Sequence, residues 1–270
     1  MANGKWLMAN GKPASSAINH QPSTISHAFF DCNAQIGRYS VKHPEAFTTA
    51  DELVREMEYC GIAEALAYHS MAKEYAPAVG NRMLLEEIEG KPIRPCWLVM
   101  PHHTGEMPAP DELLARMKQH GVRALRAFPA AQQFRLSDWC AGDLLSMVEE
   151  NRIPFFLDMD QTNWEDVARM LKHHPGLNLI LLRTSYRIDR MIYPLFEKYE
   201  GLRIEAATYQ VASGIEEICR RFGAKRLLFG SGLPYTEAGP SIAQIAYAEI
   251  SDEEKRMIAG GNLERLLEWC

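Results

Sequence analysis

The chain has 270 residues, enough for one large barrel or two small domains, and its 47% apolar and 24% charged content is that of an ordinary globular protein. A net charge of −6 with no long run of either sign argues against nucleic acid as the main partner, since phosphate binding needs a basic surface. No apolar run approaches the roughly 20 residues of a membrane helix, and the start lacks the apolar core of an export signal, so a cytoplasmic location is expected.

In chain order, residues 1–27 come first. "MANGK" at positions 1–5 recurs at 8–12, and the segment is rich in Ser, Asn, Pro and Gly. It reads as a flexible arm, its first seven residues as a second start or a scar, and 28–270 as a single domain. The scattered cysteines (Cys32, Cys60, Cys96, Cys140, Cys219, Cys270) form no C-x-x-C pair and are read as reduced thiols.

From Ala28 onward, eight short apolar runs recur: "HAFFDC", "AEALAYH", "RPCWLVM", "VRALRAF", "IPFFLDM", "LNLILLR", "LRIEAAT" and "KRLLFGS". Each suits a strand buried on both faces. The segments between them carry helix punctuation. Thr49 with Glu52 and Gly61 predicts a capping box and a glycine stop. Ser213 with Glu216 and Gly223, and Ser251 with Glu254 and Gly260, predict the same. Eight such units imply parallel pairing and favour a closed (β/α)8 TIM barrel over a doubly wound sheet. No G-x-G-x-x-G or Walker loop follows any strand.

In a barrel of this kind chemistry sits where strands end. Those positions hold Asn33, Gln35, His69, Ser70, His102, His103, Arg126, Asp158, Arg183, Tyr209 and the turn from Ser231 to Tyr235. Together they predict a ligand site. His173-His174, before Pro175, fall on the strand-entry side and read as surface. Strict alternation would point Cys32 away from the side of the pleat that carries Asn33, and Asp31 reads as a strand-end hydrogen-bonding residue.

With these landmarks the chain resembles the amidohydrolase superfamily, in its amidohydrolase-related branch. "DCNAQIG" stands where that family has D-x-H-x-H. "GVRALRAFP", "ENRIPFFLD", "HPGLNLILLR", "KRLLFGSGLPY" and "GGNLERLL" follow its later landmarks in order. The resemblance implies a metal held by two first-strand histidines, histidines ending the fifth and sixth strands, and an aspartate ending the eighth. Here those positions are Asn33, Gln35, Asp158, Arg183 and Gly232. Amides are poor donors to zinc-like metals and a guanidinium has no lone pair to offer, so no metal and no other cofactor are expected.

Three readings follow. The first is a metal-independent enzyme acting on a small anionic, carboxylate- or lactone-type molecule. It would hydrolyse a C–N or C–O bond or act as a decarboxylase-like lyase. Asp158 would be its general acid or base, helped by His69 or His102. Arg126 and Arg183 would clamp the anion, and Asn33, Gln35, Tyr209 and Tyr235 would complete the substrate site. Arg183 is also a candidate ion-pair partner for Asp158. The second reading is an inactive pseudoenzyme that binds a small ligand or protein partner through the same mouth. The third is a purely structural role as an inactive subunit of a hetero-oligomer; assembly as a homo-oligomer is a separate expectation.

Overall fold

The computed structural model describes residues 28–41, 43 and 46–268, so the arm expected over 1–27 lies outside the described residues. Eight strands follow one another around one sheet, each pairing in parallel with the next. They are β1 (Phe29–Ile36), β2 (Ile62–His69), β3 (Ile93–Leu98), β4 (Ala124–Ala127), β5 (Phe155–Asp158), β6 (Leu179–Leu182), β7 (Arg203–Glu205) and β8 (Leu227–Leu228). The ring closes through backbone bonds from β1 to the chain after β8. Cys32 N–H donates to Phe229 O at 3.0 Å and Gln35 N–H to Leu233 O at 3.1 Å. The fold is a (β/α)8 TIM barrel.

The helices between strands are α1 (Ala50–Cys60), α2 (Ser70–Glu74), α3 (Pro77–Ile88), α4 (Pro110–Gln119), α5 (Asp138–Glu150), α6 (Trp164–His173), α7 (Asp189–Lys198) and α8 (Gly214–Phe222). After β8 come α9 (Ala238–Ala246), α10 (Asp252–Arg256) and α11 (Asn262–Leu267). Among the described residues no helix is long and apolar enough to cross a membrane.

Alternation along the strands divides the core into two layers. Phe29, Ala34 and Ile36 of β1 pack outward against helix residues such as Leu53 and Met57. Phe30, Cys32, Leu66, Cys96, Ala124, Phe156, Ile180 and Leu228 fill the inside of the ring, where Leu263, Leu266 and Leu267 of α11 join them. Above this apolar filling the inward-facing residues become polar.

The expected helix starts are partly met. Thr49 and Ser251 form full capping boxes with Glu52 and Glu254, and Gly61 ends α1 in the left-handed region. Ser213 makes no cap hydrogen bond: it is left-handed at φ 53°, and Glu216 instead accepts the N–H of Glu249 at 2.8 Å. Nor does Gly260 end a helix. It lies in a wide turn, 257–261, through which the chain continues into α11. A Cβ at Gly260 would come within 3.1 Å of the Phe30 Cβ, so glycine serves close packing against β1. His174, expected at the surface, is buried and bonded to Glu149 at 3.1 Å, while His173 is exposed.

Candidate active site at the barrel mouth

The first strand does not alternate cleanly. Its register against β2 shifts between Asp31 and Ala34, so three β1 residues span what two span on β2. This bulge keeps Cys32 in the inner filling while Asn33 still faces the mouth, which corrects the expectation that the two point to opposite sides. Asp31 holds the bulge. Its carboxylate accepts the N–H groups of Asn33 and Ser231, each at 2.9 Å, and the Ser231 hydroxyl. Burial pushes the Asp31 carboxyl up, against those donors. Burial, with Glu205 and Asp31 nearby, pushes the Cys32 thiol well above its ordinary range, which favours the protonated thiol.

From Asn33 a chain of side-chain bonds crosses the mouth. Asn33 Nδ2 donates to Glu205 Oε1 at 2.8 Å, and Arg126 Nη1 donates to Asn33 Oδ1 at 2.8 Å. Arg126 Nη2 donates to Asp158 Oδ1 in a buried ion pair. The pair expected between Arg183 and Asp158 is therefore replaced by Arg126 with Asp158. Arg126 and Asp158 face inward on adjacent strands, whereas Arg183 turns into the left-handed region at φ 56° and its side chain is exposed. The Arg126 guanidinium also lies over the rings of Tyr68 and Phe128, at 4.6 and 5.0 Å.

A second group surrounds Gln35. Its Oε1 accepts the hydroxyls of Tyr68 and Tyr39, the latter at 2.9 Å. Asn33, Gln35, Tyr68, Arg126, Arg183, Glu205 and Tyr235 all line one cavity of about 410 Å³, closed on the β8 side by Ser231 to Thr236. Five of the nine residues predicted for catalysis or binding thus meet here. Asp158 stands behind Arg126.

The structure does not bring the other three to this cavity. His69 caps α2: its Nδ1 accepts the Met71 N–H at 3.1 Å, so Nε2 carries the proton and reaches Glu87 at 3.1 Å. Both nitrogens are engaged, beside a different cavity lined by Thr49 and Lys91. His102 sits in a short turn with its ring tilted against that of His103, centroids 4.3 Å apart. Tyr209 is a core residue beneath α8, its hydroxyl donating to Asp189 at 2.6 Å. His69 is the last residue of β2, whereas His102 and Tyr209 lie four residues past the ends of β3 and β7, and the local chain aims each of them elsewhere.

Glu205 is the site residue that the strand-end reading missed. It is fully buried, and burial above all, with Asp31 adding to it, pushes its carboxyl up to about 7 despite the donor groups of Asn33 and Arg183. The available signal was a lone carboxylate inside "LRIEAAT", a strand otherwise destined for a barrel wall.

The residues present do not fit the metal that the resemblance implies. Two amides replace imidazoles, and the Arg126 cation lies between Asn33 and Asp158, where it would repel a divalent ion. Gly232, at φ 74°, could not simply become an aspartate, because a Cβ there would overlap Thr236 Oγ1. Among the described residues no three His, Cys, Asp or Glu side chains are grouped to hold a metal ion.

Solved structures with the same fold include a 5-carboxyvanillate decarboxylase from Novosphingobium aromaticivorans with bound manganese. Its TM-score is 0.72 at 10% identity, covering 91% of this chain and 98% of that one. A 2,6-dihydroxybenzoate decarboxylase from Rhizobium matches with TM-score 0.65 and 14% identity, over 90% and 99% of the two chains. A putative 2-pyrone-4,6-dicarboxylic acid hydrolase from Pseudomonas putida gives 0.65 and 15%, over 89% and 97%. No curated protein sequence matches. A family model described as amidohydrolase matches residues 26–269, and the chain therefore belongs to the amidohydrolase family.

Proposed function

We propose that this barrel is a metal-independent hydrolase or lyase acting on a small carboxylate- or lactone-type molecule at its mouth. The observation that carries this reading is Arg183. It lines the cavity, yet its guanidinium has no hydrogen-bond or ion-pair partner among the described residues. A cation exposed in a concave site, next to amides and phenols, suits a small anion.

The other residues take supporting roles. Arg126 is fixed from two sides by Asn33 and Asp158, and it lines the cavity. Asp158 holds that guanidinium in place. Because the Tyr39 and Tyr68 hydroxyls occupy Gln35 Oε1 and its amide N–H groups have no partner among the described residues, those N–H groups suit a ligand oxygen. Tyr235 forms the wall opposite, its ring edge-on to Tyr39 at 5.5 Å. The names of the relatives with this fold, two aromatic-acid decarboxylases and a pyrone dicarboxylic acid hydrolase, support a carboxylate-bearing substrate.

The test is a thermal-shift screen of benzoates and small lactones on protein treated with a chelator, repeated on Arg183→Ala. Stabilisation in the wild type that is lost in the variant is expected, with turnover of a hit unaffected by the chelator. Equal stabilisation of both proteins would defeat the arginine assignment. Turnover that depends on added metal would defeat metal independence.

A further inference from the structure

Either reaction needs a side chain that can take up and return a proton beside the bound molecule. The mouth holds three buried carboxyls, and their surroundings separate them. Asp31 is saturated by donors from Asn33 and Ser231 and braces the β1 bulge. Asp158 is ion-paired with Arg126. Glu205 has no cationic side-chain partner among the described residues.

The two oxygens of Glu205 are not equivalent. Oε1 accepts the Asn33 amide at 2.8 Å, and that amide cannot turn over without losing its bond from Arg126. Among the described residues Oε2 receives only the backbone N–H of Arg183, at 3.4 Å. A contact that long leaves a lone pair unoccupied on a residue that lines the cavity. Room for the carboxyl is built into the neighbouring strand end. A Cβ at Gly230 would overlap Glu205 Oε1 and lie 2.9 Å from its Cδ, so any larger residue there would expel it.

We propose that Glu205 is the catalytic proton-transfer residue of this mouth, acting through Oε2 in the hydrolysis of a small ester or lactone. The assignment rests on reading the mouth as an anion-binding active site. As a carboxylate, Oε2 removes a proton from water as the water oxygen bonds to the carbonyl carbon. The carbonyl π pair moves onto its oxygen, a charge that the Arg183 guanidinium offsets. When the C=O re-forms, the C–O bond to the leaving oxygen breaks. The proton on Oε2 passes to that oxygen, and Glu205 is again a carboxylate. One water is consumed and one acid and one hydroxyl are produced. A carboxyl with a pKa of about 7 is matched to both halves of this cycle at neutral pH.

The first measurement is an infrared pH titration of the full chain without ligand, wild type against Glu205→Gln. A protonated-carboxyl band that disappears as pH rises through about 7 is expected in the wild type and not in the variant. Identical titrations overturn the assignment. Should the variant not fold, 13C-glutamate NMR of the wild type decides the same point: one carboxyl titrating near 7 supports it, and none overturns it.

The second measurement is calorimetry of benzoate binding at neutral pH in buffers of different ionisation enthalpy. Fractional proton uptake in the wild type and none in Glu205→Gln is expected, because an anion beside Glu205 raises its proton affinity. Binding without uptake in the wild type overturns the placement of Glu205 next to the ligand. Failure of benzoate, lactones and the other carboxylates to bind overturns the reading of the mouth itself, while the titration still decides the proton.

Discussion

Arg126 and Arg226 are both buried, both keep an Nε without a partner among the described residues, and they lie at opposite ends of the barrel. Among the described residues Arg226, just before β8, donates only to backbone carbonyls: Phe196 and Tyr199 at 2.7 Å, Glu200 and Leu202 at 2.9 Å. It fastens the connection from α7 to β7 and is enclosed by chain that does not change charge. Among the described residues Arg126 donates only to side chains, Asn33 of β1 and Asp158 of β5. The difference separates a staple from a device that sets charge. A buried guanidinium bonded to carbonyls holds a loop; one bonded to an amide and a carboxylate organises a site.

The largest effect is expected at the mouth. Asp158→Ala leaves the Arg126 charge buried without its counter-ion, and stability should fall by about 3–5 kcal/mol. Urea unfolding measures this; a loss comparable to that of an exposed ion pair would mean the pair is not desolvated.

Next comes the pH dependence of Glu205. Its carboxyl titrates near 4.5 when unfolded and near 7 in the fold, so between these values the native state keeps a proton that the unfolded chain has lost. The stabilisation from this group is full below about 4.5, declines as pH rises, and is gone above about 7, a span of about 3 kcal/mol. Glu205→Gln should flatten that slope, leaving an acid-end remainder from Asp31, whose carboxyl is raised in the same direction. Urea midpoints followed across this range in both proteins check it, and parallel slopes would refute it.

At the opposite end, Arg226→Met strands several carbonyls and should cost about 2 kcal/mol. Unlike the mouth variants, it should leave benzoate affinity unchanged; a parallel loss of affinity would erase the distinction between the two arginines. The smallest stability effect is expected for Arg183→Ala, within about 0.5 kcal/mol because the side chain is exposed. That variant should still lose the anion-induced thermal shift, so a silent stability change together with lost binding is its signature.

Much of the mouth was legible because strand ends can be found in sequence. Asn33, Gln35, Arg126, Arg183 and Tyr235 were reached that way and line one cavity. His69 and Tyr209 show the limit. Each follows a strand, yet His69 turns to cap α2 and Tyr209 turns under α8, where a Cβ at Gly214 would lie 2.8 Å from its ring. Local signals fared as local physics allows. The boxes at Thr49 and Ser251 involve residues three apart and form as written, whereas Glu216 leaves Ser213 for a partner 33 residues away.

The sequence by itself determined the barrel, because eight doubly buried strands joined by capped amphipathic helices have few other ways to hide their apolar faces. It also placed amides and a guanidinium at three positions where the resemblance implies imidazoles, and an amide or guanidinium cannot become an imidazole in any fold. Tertiary structure alone decided which charge meets which. The bulge at Asp31 sets the height of Asn33, Asn33 hands one face of its amide to Arg126 and the other to Glu205, and Gly230 leaves the space that Glu205 fills. Pairing, burial and proton affinity depend on distances between residues as many as 200 positions apart, and no local pattern encodes them.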